Sequence, residues 1–277
     1  MPAFGIAGMV WLLALLILCY APILYRLVNQ WYTDEDMGHG FFVPAISAYI
    51  AWYKRDELKA APLQSNPLGL VLMVWGALQS IVGTLGVELF LSRTSFLISV
   101  YGTVLYLGGM AAIRILFFPL FLLLFMVPIP AIIYNQITFP LQLLASRVAE
   151  AVLSLLGIPV LRDGNVLELP SQRLSVVEAC SGIRSLLSLS FLSLVYGQFF
   201  DDKAWMKWVL LPLTVPIAIT ANATRVTGTG ILSEINPEYA TGFYHTAEGW
   251  VVFMVAMVIL VAVHRLVNFI YAKTKRS

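Results

Sequence analysis

Three stretches of the chain carry side chains suited to covalent chemistry. In Glu178-Ala179-Cys180-Ser181-Gly182-Ile183-Arg184 a thiol stands where an irregular segment gives way to an apolar run that reads as a helix. Unpaired amides at a helix N-terminus, together with the charge of Arg184 one turn on, favour a thiolate, the form a nucleophilic cysteine needs. Arginine in a first turn also opposes the helix dipole, a local conflict that marks sites more often than scaffolds. A buried structural cysteine is the competing reading, since free Cys is among the most buried residue types. In Asn222-Ala223-Thr224-Arg225-Val226 a guanidinium closes a second apolar run. At membrane depth such a charge is costly unless it is paired or used. Its fork suits polarising an acyl oxygen or holding a carboxylate, and snorkelling to lipid headgroups is the plainer alternative. In Tyr244-His245-Thr246-Ala247-Glu248-Gly249-Trp250 an imidazole precedes a third apolar run. A helix N-terminus disfavours an imidazolium, so Glu248 or the thiolate has to hold that cation.

Other polar residues stand apart from this set. His39, in Gly38-His39-Gly40, is a candidate for shaping the site or its entrance rather than for chemistry, and His264 beside Arg265 reads as structural. Thr227-Gly228-Thr229-Gly230 reads as a flexible stretch after its helix, too weak a pattern for a phosphate loop. Cys19 and Cys180 are the only two cysteines and are too far apart for a CxxC redox or zinc pair. Thiol chemistry therefore rests on one residue, and it requires no metal or organic cofactor.

Positioning these groups falls to an apolar chain. Of 277 residues, 60% are hydrophobic and 12% charged, against roughly half and a quarter in soluble domains, so lipid is the solvent. A net charge of +2 is too small to imply nucleic acid. Apolar runs predict helices near residues 4–25, 41–53, 67–85, 95–112, 114–128, 183–199, 208–224 and 247–268. The first has neither a basic n-region nor a small-residue cleavage site, and reads as a retained helix. With the N-terminus inside, the loops 54–59 and 201–207 and the tail 273–276 are cytoplasmic and hold all six lysines. Asp34-Glu35-Asp36 then lies outside, in accord with the positive-inside rule, and the three chemical stretches share the outer face.

Residues 129–182 are too polar for ordinary spans and read as an extracytoplasmic insertion within a single membrane domain, 1–277. There Thr138, Gln142, Ser146, Glu150 and Ser154 recur every four residues, the pattern of an interfacial amphipathic helix, which Gly157 and Pro159 end. An Asp163-Gly164 turn between apolar runs, then Arg173 to Ala179, predicts a strand meander that delivers the chain to Cys180. The fold class is an all-α integral membrane protein of about eight transmembrane helices with this small insertion.

Ala179-Cys180-Ser181-Gly182-Ile183, Asn222-Ala223-Thr224-Arg225-Val226 and His245 before a final span resemble, in order and spacing, the three signature segments of the exosortase/archaeosortase family. The stretch from Asp34 through His39 and Gly40 is similar to the family's N-terminal portion, so the resemblance covers essentially the whole chain. It implies a multi-pass bacterial inner-membrane cysteine protease/transpeptidase with its active site facing the periplasm. Its partners would be exported proteins bearing a C-terminal PEP-CTERM-type motif, a transmembrane helix and a basic tail. Carried over by position, Cys180 is the nucleophile, and Arg225 and His245 are the active-site arginine and histidine. Glu178, Arg184, Asn222, Glu248 and His39 are supporting candidates.

The expected reaction is attack by the Cys180 thiolate on a peptide bond just outside the substrate's helix, giving a thioester that an amine or water resolves. Two rival readings remain. A multi-span transporter predicts polar residues along a midplane path, whereas here few charges fall mid-span. A non-catalytic envelope-export assembly subunit would tolerate loss of Cys180, Arg225 and His245 singly.

Overall fold

The structure is a computed structural model that describes residues 6–176, 182–240 and 242–275. The chain divides into two compact units, Met1–Pro130 and Ala131–Ser277.

In the first unit, helices α1 (Ile6–Cys19) and α2 (Ala21–Thr33) meet at Tyr20 with a bend of 77°. Pro22 at the start of α2 explains the break in the run 4–25, because its ring and missing N–H cannot continue the preceding helix. A 3₁₀ segment (Glu35–Phe41), α3 (Phe42–Tyr53) and α4 (Arg55–Ala60) follow. At 12 residues α3 reaches about 18 Å, short of a bilayer core. The expected run 114–128 likewise divides, into the C-terminal end of α6, α7 (Phe117–Leu122) and a 3₁₀ turn (Leu123–Met126).

The centre of this unit is the pair α5 (Leu68–Leu85) and α6 (Leu89–Ile115). Along α5 the buried residues are Gly69, Gly76 and Gly83, one every seven. All three press on α6 backbone: a Cβ at Gly83 would lie 2.7 Å from the Ser92 amide nitrogen, and one at Gly76 would lie 2.9 Å from the Ser95 carbonyl oxygen. Small residues permit such close approach where lipid leaves no hydrophobic drive between helices, and Leu70, Val71, Val74, Trp75, Leu78 and Ile81 stay exposed as a lipid-facing surface. Gly76→Leu is expected to lower the unfolding free energy by about 3 kcal/mol, the upper range for overpacking, measured by thermal unfolding in detergent.

The second unit starts with α8 (Ala131–Leu155), then three antiparallel strands, β1 (Leu161–Asp163), β2 (Val166–Glu168) and β3 (Arg173–Ser175), in the order β1-β2-β3. Helices α9 (Ile183–Phe200), α10 (Met206–Ile235) and α11 (Gly242–Thr274) complete it. The polar stripe of α8 corrects the interfacial reading. Thr138, Gln142 and Ser146 are buried, while Ile132, Ile133, Ile137, Phe139, Leu144 and Val148 are exposed. Ser146 Oγ donates to the Gly164 carbonyl, Asn165 donates to Gln142, and Arg162 pairs with Glu150 at 2.7 Å. This part of the stripe faces inward because the strands offer it partners, while Ser154 at its end is exposed. Leu167 and Leu174, opposed in register across β2 and β3, join Ala145, Ala149, Leu153, Val176 and Val226 in one core.

Two further expectations on this unit change. Helix α10 runs to Ile235 rather than ending near 224, so the Thr227-Gly228-Thr229-Gly230 stretch is helical. Its glycines are contact points, Gly230 receiving Leu153 and Gly228 receiving Glu248, and packing overrides their weak helix propensity. Likewise α11 begins at Gly242, so His245 lies in its first turn instead of ahead of it.

The far end of α9–α11 is closed by a polar knot. Asp201 Oδ2 accepts from His264 Nε2 at 2.8 Å and from Asn268 at 2.7 Å, Tyr196 Oη lies 3.0 Å from His264 Nδ1, and Lys203 donates to Asn268 at 2.7 Å. His264 is thus structural, tying the α9–α10 loop to α11. Burial works against the Asp201 charge, but donors from Asn268, His264 and the Lys203 amide, with the Lys203 charge, outweigh it and hold the carboxyl well below its usual 3.8. A depressed carboxylate stabilises the fold fully above 3.8, and that contribution is lost as pH falls further towards the folded value. Asp201→Asn is therefore expected to cost about 2 kcal/mol at neutral pH. The gap from the parent protein should close below about pH 4, followed by denaturant titration at several pH values.

Among the described residues, five helices are long and apolar enough to cross a membrane, or up to seven if each bent pair is one span. That is fewer than the eight runs of the sequence, for the reasons given at α1, α3 and α7.

Candidate active site

All three chemical stretches fall in the second unit. Cys180 and Glu178 lie outside the described residues, but both flanks of their segment are fixed. Val176 is fully buried in the core that includes Val226, and its amide bonds the Asn165 carbonyl at 3.0 Å. On the other flank, Gly182 caps α9 in a left-handed conformation, φ 68°, which glycine adopts without strain. A Cβ at Gly182 would lie 2.9 Å from the side-chain nitrogen of Asn222. Asn222 and Val226 bracket Arg225 on α10, so the segment carrying Cys180 starts and ends against the turn that carries Arg225.

Arg225 is half-buried and packs on α11, where a Cβ at Gly249 would lie 3.1 Å from its Cζ. Glu248 turns towards α10: its Oε2 accepts from Thr229 Oγ1 at 2.7 Å, and its charge interacts with that of Arg225. The backbone of His245 lies one turn before Gly249 on α11. Arg184 sits half-buried in the first turn of α9, as the sequence implied. Between α8, α9 and α10 a small cleft is lined by Leu141, Gly182, Leu186, Ala218, Ile219 and Asn222. It is apolar along its length, with the Asn222 amide on its wall beside Gly182.

The two flanks of the thiol segment, Arg225 and the backbone of the first turn of α11 therefore belong to one helical unit. Compared with known protein families, the chain matches the transmembrane exosortase model (Exosortase_EpsH) over residues 31–262, most of its length. The chain belongs to the exosortase family. It is accordingly a multi-pass membrane protein of a family of membrane proteases/transpeptidases. No curated protein and no solved structure gives a match.

In this exosortase-family chain, His39 belongs to the first unit. Its Nε2 donates to the Phe125 carbonyl at 3.2 Å, and the neighbouring Trp31 Nε1 donates to the Met126 carbonyl at 2.9 Å. Burial pushes its imidazole below the ordinary value, against the opposing pull of the Phe125 carbonyl and Asp36. Both donors cap the end of the 3₁₀ turn, a structural task. Residues that the sequence reading passed over are Thr229, Gly228 and Gly249. Their signal was present as small residues on apolar helices, the usual mark of close helix contact in lipid, but Gly-rich spacing read as a loop.

Proposed function

We propose that the protein is a membrane-embedded cysteine protease/transpeptidase that removes C-terminal sorting signals from exported proteins at the outer face of the bacterial inner membrane. The observation that carries this reading is the anchoring of the Cys180 segment, at both ends, against the α10 turn of Arg225. Position 180 is two residues from Gly182, and two extended residues reach about 7 Å. In the reaction, the Cys180 thiolate adds to the scissile carbonyl, and Arg225 stabilises the resulting oxyanion. His245 gives a proton to the leaving amine as the C–N bond breaks, leaving a thioester, and later takes one from the acceptor amine or water.

Charge distribution favours the orientation. Lys203 lies between α9 and α10, Lys207 lies in the first turn of α10, and Lys203 reaches Asn268 and the Tyr271 ring near the end of α11. Arg225 is 18 residues along α10 from Lys207, roughly 27 Å. The lysines therefore sit about one hydrocarbon thickness from the site, which the positive-inside rule puts on the cytoplasmic side. A substrate helix already in the bilayer presents its outer end at the depth of the site, lowering the entropic cost of encounter. The test is co-expression with an exported protein bearing a PEP-CTERM-type motif, a helix and a basic tail. The tail should be lost only when this chain is present; equal maturation in its absence would contradict the reading.

A further inference from the structure

Arg225 and Glu248 exchange places across one helix crossing. The Arg225 guanidinium, from α10, lies over Gly249 of α11, where a Cβ would meet Cζ and Nη2 at 3.1 Å. In the opposite direction the Glu248 carboxylate, from α11, lies over Gly228 of α10, where a Cβ would meet Oε1 at 2.5 Å. Each long side chain uses the bare backbone of the other helix as its seat. The second carboxylate oxygen is 2.7 Å from Thr229 Oγ1, a fully buried hydroxyl that is also 3.0 Å from the carbonyl oxygen of Arg225 itself. The Thr229 hydroxyl thus stands between the Glu248 carboxylate and the Arg225 carbonyl, with one proton for the two acceptors.

We propose that Glu248, held by Thr229, is the positioning residue for the Arg225 guanidinium, with Gly228 and Gly249 as the seats that let the two side chains cross. This rests on the reading of Arg225 as the group that meets the oxyanion. Oxyanion stabilisation depends on donors fixed before charge develops, and an unpaired arginine in lipid would instead drift towards the headgroups. A guanidinium has five donors in a planar fork, so it can meet a carboxylate and a substrate oxygen together. The sequence reading had offered Glu248 as holder of the imidazolium. Its contact with Thr229 and its charge interaction with Arg225 add the guanidinium as a second group that this carboxylate could serve.

The test is single-turnover acylation by the full-length protein in membranes with a tail-bearing substrate. Glu248→Gln should slow acylation about 10- to 100-fold, the usual cost of losing an orienting partner. In an Arg225→Lys background the same change should cost no more than about twofold, because it acts through the guanidinium. Independent, multiplying losses would overturn the proposal. So would a pH profile in which Glu248→Gln moves the limb of the imidazole, since Glu248 would then serve His245. Should Glu248→Gln fail to accumulate, Thr229→Ser and Thr229→Val carry the test: the serine should keep the parent rate and the valine lose it, and equal rates would overturn the proposal. Arg225→Lys and Arg225→Ala proteins that acylate at the parent rate would instead remove the oxyanion role itself.

Discussion

Cys180→Ala is expected to insert and accumulate like the parent protein yet leave a tail-bearing substrate uncleaved. The loss should be on the order of 10⁶-fold, the scale seen when the nucleophile of a covalent mechanism is removed. Neither rival reading predicts such a loss, because a transporter or an assembly subunit does not pass through a thioester. The remaining thiol, Cys19, is exposed on α1 in the first unit. Quantitative blotting of precursor and product, with the variant's abundance matched to the parent's, reads the effect directly. Cleavage within tenfold of the parent rate would sink the thiol mechanism.

The second large effect belongs to Arg225. Arg225→Ala should slow acylation about 10²- to 10³-fold, the range for losing one oxyanion donor. Arg225→Lys should recover only part of that, since an ammonium restores the charge but not the planar fork. The alanine variant also removes the Arg225 charge that interacts with the half-buried Glu248 carboxylate, which costs some stability. Adding Glu248→Gln to Arg225→Ala should therefore recover stability, measured by SDS titration, without recovering rate. Recovery of both would show that Arg225 acts through stability alone.

Much of the architecture follows from apolar run length. The runs 67–85 and 183–199 appear almost residue for residue as α5 and α9, because each is bounded by polar or glycine-rich chain and needs no partner to be recognised. Where tertiary contact decides, the sequence was less informative. The every-fourth-residue stripe on α8 has one periodicity whether it faces water or a three-stranded sheet, and the bonds of Ser146 and Gln142 to the strands are what select the second. Helix α10 persists through Pro212, Pro216 and a Gly/Thr stretch. In lipid, backbone groups freed by proline are satisfied locally, and glycine becomes a contact surface.

The site divides along the same line. The candidates Cys180, Arg225 and His245 could be singled out by residue type and by the ends of apolar runs, although the helix that carries Arg225 continues ten residues beyond it to Ile235. The reciprocal seating of Arg225 and Glu248 could not, because it depends on Gly228 and Gly249 meeting side chains 20 to 24 residues away in sequence.

The most direct test is mass spectrometry of the protein acid-quenched during turnover of a tail-bearing substrate. An acyl adduct on the peptide containing Cys180, labile to hydroxylamine and enriched in an acceptor-starved sample, is the predicted result. Full cleavage with Cys180 unmodified throughout turnover would contradict the mechanism.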